Sequence, residues 1–205
     1  MKRLLFTILL AAVLWTVMFS PWTAPHVNFW WMMTGSACML SLCASLFSPG
    51  WWKRIRITPG EVLAGIAIAA ALWGIFWVGD KLSQLMFDFA RPQVDTIYGM
   101  KEGESPWLLT GLMLFLIGPA EEIFWRGYVQ QKLSDRWNPN KGFVVATLIY
   151  ALVHAGSLNF MLTMAALVAG AAWGLLYRFF PKHFTAIVIS HALWDVAVFI
   201  WFPIM

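Results

Sequence analysis

Apolar residues in this chain gather in long runs, separated by short polar stretches that hold most of the charge. Seven runs can be read, at about Leu4 to Ser20, Val27 to Phe47, Val62 to Gly79, Trp107 to Gly127, Phe143 to Ala155, Phe160 to Phe180 and Phe184 to Phe202. Most approach the ~20 residues a helix needs to cross a ~30 Å hydrocarbon layer. The fifth run is short for a span, and is expected either to extend from Asn140 into Leu158 or to cross a locally thin region. The pattern therefore predicts an all-α fold, a polytopic transmembrane helical bundle of about seven spans. Between the third and fourth runs, Asp80 to Ser105 is the longest polar connection. Leu82, Leu85, Met86 and Phe89 share one helical face there, which predicts a short amphipathic helix on the bilayer, ended by Arg91-Pro92; a solvated loop with apolar anchors fits equally well. No internal repeat or soluble segment interrupts the pattern, so 1–205 reads as a single transmembrane domain.

Composition agrees: 60% of residues are hydrophobic, 12% are charged and the mean hydropathy is +0.70, values outside the range of soluble domains. Basic residues set an orientation. Lys2, Arg3, Lys53, Arg54, Arg56, Lys132, Arg136, Lys141, Arg178 and Lys182 fall on one side, and only Lys81, Arg91 and Lys101 on the other. The first side is expected to be cytoplasmic, with the N-terminus inside. Met1 to Ala24 also has the form of a signal peptide, whose removal would not alter the later topology. The net charge of +4 suits anionic lipid head groups, and nothing in the chain points to nucleic acid. Cys38 and Cys43 lack a metal or redox spacing and read as small core residues.

One run carries charges that a span would normally exclude, in Gly118-Pro119-Ala120-Glu121-Glu122-Ile123-Phe124-Trp125-Arg126-Gly127. A charge at the bilayer centre costs about 2.5–3.5 kcal/mol on insertion scales, so such residues face a bundle interior or a wet cavity and mark function by default. Glu122 and Arg126 form an i,i+4 pair in the favourable order, which predicts a guanidinium forked onto the Glu122 carboxylate. Glu121 points about 100° away around the helix and has no partner in its own segment. Pro119, unable to donate to the Phe115 carbonyl, predicts a kink beside Gly118.

Few other polar groups lie deep. Tyr150 and His154 are i,i+4 on the fifth run, His191 and Asp195 are i,i+4 on the seventh, and counted from the basic ends all these ionisable groups fall in the cytoplasmic half. This predicts three helices converging on a cavity open to the cytoplasm. A desolvated carboxylate makes a competent general base, and a nearby histidine can share its proton. With no serine or cysteine at a recognisable nucleophile position, direct attack of water on an amide is the economical chemistry, with protonated His191 as oxyanion donor. Tyr150 and Trp125 are candidates to line the cavity or contact substrate.

The ordered set Glu121-Glu122-x-x-x-Arg126, Tyr150-x-x-x-His154 and His191-x-x-x-Asp195 resembles the CAAX protease and bacteriocin-processing family of intramembrane endopeptidases, which includes the type II CAAX prenyl endopeptidases. The resemblance covers about Trp107 to Val198. It implies an all-helical bundle with a cytoplasm-facing cavity, in which Glu121 activates water with His154, Glu122 and Arg126 support, and His191 with Asp195 stabilises the oxyanion. Two positions depart from the pattern: Tyr150 replaces the usual Phe, and Asp195 replaces the Asn of the prenyl endopeptidases. An ionised Asp cannot donate to an oxyanion.

No cofactor is expected. A zinc-dependent version of the site would draw on His154, His191 and Glu121, although no H-E-x-x-H spacing is present. A rival from another class is a non-catalytic immunity or scaffold protein that holds a peptide in the same cavity. A proton-coupled transporter would also use buried acids, but the halves show no repeat. The expected partners are the lipid bilayer and a peptide or membrane-anchored protein substrate, such as a prenylated C-terminus, a bacteriocin leader, a pheromone precursor or a membrane-anchored regulator.

Overall fold

The computed structural model describes residues 1–204 as eight helices, with no strand among them. They are α1 (Lys2–Phe19), α2 (Phe29–Phe47), α3 (Pro59–Met86), α4 (Ala90–Gly99), α5 (Pro106–Arg136), α6 (Pro139–His154), α7 (Phe160–Phe179) and α8 (Phe184–Val196, continued by a wide turn to Trp201). Their starts follow from capping chemistry. The side chains of Asn28, Thr58, Ser105, Asn138 and Asn159 each accept a hydrogen bond from the backbone N–H three residues on, at the first turns of α2, α3, α5, α6 and α7. Pro59, Pro106 and Pro139 open three of these helices, where a missing N–H costs nothing.

Six helices are long and apolar enough to cross a membrane: α1, α2, α3, α5, α7 and α8. The short fifth run becomes α6, which has 16 residues and spans only ~24 Å. It stops short of a full crossing, and its last residue, His154, lies inside the bundle at 6% exposure.

The expected surface helix is displaced. α3 continues seven residues past Gly79, taking Leu82, Leu85 and Met86 with it, and Gln84 bonds back to Asp80 one turn earlier at 2.6 Å. The short helix is α4, and Arg91-Pro92 sits in its first turn instead of ending it; proline is tolerated there because the N–H would be unpaired anyway. Only Ala90 of α4 is buried. Polar ties hold this helix instead: Arg91 donates to the Ile204 carbonyl, Ile204 N–H donates to the Tyr98 hydroxyl, and Gln93 accepts on its side chain from Met161 N–H and on its backbone from the Asn159 amide. Within the helix Arg91 also pairs with Asp95 and holds its carboxyl below the usual range. Cys38 and Cys43 correct another expectation, being exposed and half-exposed on the outer face of α2.

Two ends of the bundle can be told apart by their ties. At one, Arg54 and Gln131 meet Tyr177 at 2.5 and 2.7 Å. At the other, α4 and the loop after it meet the end of α8 and the start of α2, through Lys101 on the Phe199 carbonyl, Trp30 on the Met100 carbonyl and Asn28 on Glu104.

Candidate active site

α5 carries the paired glutamates, and irregular turns surround the proline inside it. Widened π-helical turns at Met113–Ile117 and Ile123–Gln130 flank the α-helical Gly118–Glu122, and the Gly118 N–H bonds back five residues to Met113. The shifted hydrogen-bond register absorbs the donor that Pro119 lacks, and such turns recur at functional sites. Gly118 is needed for close approach: a Cβ there would lie 2.7 Å from the Ala192 Cα of α8. That contact brings the glutamates of α5 beside His191.

Glu122 is fully buried, and its Oε1 accepts from Arg126 Nη1 at 2.8 Å and from His191 Nδ1 at 2.6 Å. The guanidinium does not fork onto the carboxylate as expected. Its Nη2 turns to the Gly170 carbonyl at 3.3 Å, and the group lies over the rings of Tyr150 and Trp173 at 4.9 and 5.6 Å. The Gly170-x-x-x-Gly174 pattern of α7 thus does more than bring helices together. Gly170 leaves room for the Tyr150 ring, where a Cβ would meet Cδ1 at 2.8 Å, and the Gly170 and Gly174 carbonyls accept from Arg126 and Gln130.

Glu121 accepts one hydrogen bond, from the Tyr150 hydroxyl to Oε2 at 2.9 Å. No hydrogen bond joins it to His154. The His154 tautomer follows from its neighbours: Trp15 Nε1 can only donate, so His154 Nε2 accepts at 2.9 Å, and Nδ1–H then donates to the Tyr150 carbonyl at 2.7 Å. Tyr150 therefore links the two, with its side chain on Glu121 and its backbone on His154. His191 stacks flat on Trp173, with centroids 3.8 Å apart and planes 12° from parallel. Trp173 is itself fixed by donating to Ser190 Oγ at 3.0 Å. Asp195 Oδ1 stands 3.5 Å from His191 Nε2, beyond a good hydrogen bond.

Glu121, Tyr150, His154, His191 and Asp195 all line one cavity of ≈ 590 Å³ whose other walls are mainly apolar. Trp125, a candidate to line it, does not: it is 2% exposed and packs behind the site against the rings of Trp15, Phe124 and Tyr150. Glu122 and Arg126 likewise lie outside the lining, behind His191. Among the described residues no three His, Cys, Asp or Glu side chains group closely enough to hold a metal, and both His154 nitrogens are engaged.

The cavity opens towards one end of the bundle. It runs from these residues past Phe19, Phe29, Met86, Phe87, Tyr98 and Phe160 to Ile204, the end of the bundle occupied by α4, and none of its lining comes from the basic loops at 48–58, 131–141 or 180–183.

Trp15 and Trp173 went unrecognised in the sequence, since a tryptophan inside an apolar run looks like any other span residue. The only local hint at Trp173 was its place inside the Gly170–Gly174 pattern. We expect Trp15→Phe to remove the donor to His154, to lower stability by about 1 kcal/mol and to reduce activity. A variant matching its parent in both melting temperature and turnover would show that His154 needs no such fixing.

Fold and site together define a multi-pass membrane protein with a cluster of ionisable side chains inside the bundle. Residues 103–197 match the family model described as "Type II CAAX prenyl endopeptidase Rce1-like", and this stretch is a domain of that family, which implies an intramembrane protease. The match spans Glu121 to Asp195 and leaves outside it α1, which supplies Trp15, and α3 and α4, which wall the cavity. Neither curated proteins nor solved structures give a match.

Proposed function

We propose that the chain is an intramembrane endopeptidase that hydrolyses a peptide bond in a membrane-associated polypeptide, using water activated by Glu121. The observation that carries this reading is the state of that carboxylate. It lines a mainly apolar cavity, one oxygen is held by Tyr150, and the other has no protein donor. Such an oxygen takes a proton from water as the water oxygen attacks the amide carbon. The resulting oxyanion needs a donor, and His191 in its doubly protonated form supplies Nε2–H, because Nδ1–H is fixed on Glu122. Collapse then breaks the C–N bond, and Glu121 returns the proton to the leaving nitrogen. Glu122 and Arg126 act as positioning residues, setting the imidazole through one shared oxygen. His154, with both nitrogens engaged, holds Tyr150 against Glu121 in this scheme and does not itself relay a proton. Asp195 borders the Nε2 side of His191.

The test is peptide mapping of membranes from cells with and without the protein. New peptide termini next to apolar segments are expected only where the protein is present. Identical maps would reject the proposal.

A further inference from the structure

The charge at the two ends of the bundle, taken with the direction of the cavity, says from which side substrate arrives. At one end lie Lys2, Arg3, Lys53, Arg54, Arg56, Lys132, Arg136, Lys141, Arg178 and Lys182, opposed only by Glu61 and Asp135, for a net +8. At the other, Lys81, Arg91 and Lys101 meet Asp80, Asp88, Asp95, Glu102 and Glu104, for a net −2. Short loops rich in Lys and Arg stay in the cytoplasm, and here every short basic loop belongs to the same end. The cavity leads from Glu121 to the acidic end, passing Met86, Phe87, Tyr98 and Phe160, and the buried carboxylate of Asp80 is part of its wall. Inside, the wall is almost wholly apolar, which suits an unfolded hydrophobic segment better than a polar peptide.

We propose that the cavity faces away from the cytoplasm and that the substrate is the apolar membrane anchor of an exported polypeptide, entered and cut from the extracytoplasmic side. This rests on the endopeptidase reading for the cutting but not for the orientation, so the two are tested separately. Orientation is read by labelling single cysteines with a membrane-impermeant maleimide on intact cells, in a Cys38→Ser, Cys43→Ser background. Ser105→Cys and Thr96→Cys, both exposed at the acidic end, are expected to label, and Asn140→Cys only after lysis. The reverse pattern, or equal labelling at both ends, overturns the orientation whether or not the protein is a protease.

Substrate class is read by comparing peptide termini between cells carrying the parent protein and cells carrying Glu121→Gln. Loss of termini from anchors of exported proteins supports the proposal. Loss confined to C-termini of cytoplasmic, lipid-modified proteins overturns it. Identical termini in the two overturn the endopeptidase reading and the substrate assignment with it, while the labelling result stands on its own.

Discussion

Glu121→Gln is expected to lower cleavage by at least about 10²–10⁴-fold, the share a general base normally contributes, while leaving the melting temperature unchanged or raised. The amide keeps the shape of the side chain and an oxygen to accept from the Tyr150 hydroxyl, which lies 2.9 Å away. What it loses is the ability to take a proton from water. Glu121 has no ion pair of its own, so removing its charge strands no partner, and a neutral group in this apolar cavity costs less to bury than a carboxylate. The measurement is turnover and thermal stability of the purified variant in parallel. Cleavage at the parental rate would remove Glu121 from the chemistry; lost cleavage together with a lost fold would make it structural.

Arg126→Ala is expected to act through stability first. The guanidinium sits at 2% exposure between the Tyr150 and Trp173 rings and gives one nitrogen to Glu122 and another to the Gly170 carbonyl. Without it Glu122, at 0% exposure, keeps only His191 as a donor, and its Oε2 has no hydrogen bond even now. Breaking a buried pair by removing one partner costs roughly 3–5 kcal/mol, which corresponds to a melting temperature lower by on the order of ten degrees. The double variant Arg126→Ala, Glu122→Gln should recover part of that loss, since the uncompensated charge is gone. An Arg126→Ala protein as stable as its parent would mean that the pair contributes nothing to the fold.

These contrasting expectations for neighbouring acids came from local spacing. The Glu122–Arg126 pair was legible because i,i+4 neighbours touch in any helix. The spans were legible because only a long apolar run is stable in hydrocarbon. Relations between helices were not. Trp15 and His154 lie 139 residues apart, and nothing in an apolar first helix marks the one indole that will cap a histidine. The end of α3 was misjudged because hydropathy falls at Asp80, although the helix continues wherever side chains such as Gln84 can satisfy the polar group it carries. The single contact from Arg126 to Glu122, where a fork was expected, depends on the Gly170 carbonyl drawing off the second nitrogen, which is a property of α7 and not of α5.

One fully buried oxygen, Glu122 Oε1, joins a guanidinium on α5 to an imidazole on α8, so those two helices cannot part without stranding a buried carboxylate from its His191 donor. That half of the molecule is the fixed jaw. α4 forms the other side of the mouth, with one buried residue and a set of hydrogen bonds that water can replace at little cost. α4 is therefore the part of the mouth that costs least to displace, whereas Glu122 stays tied to α8.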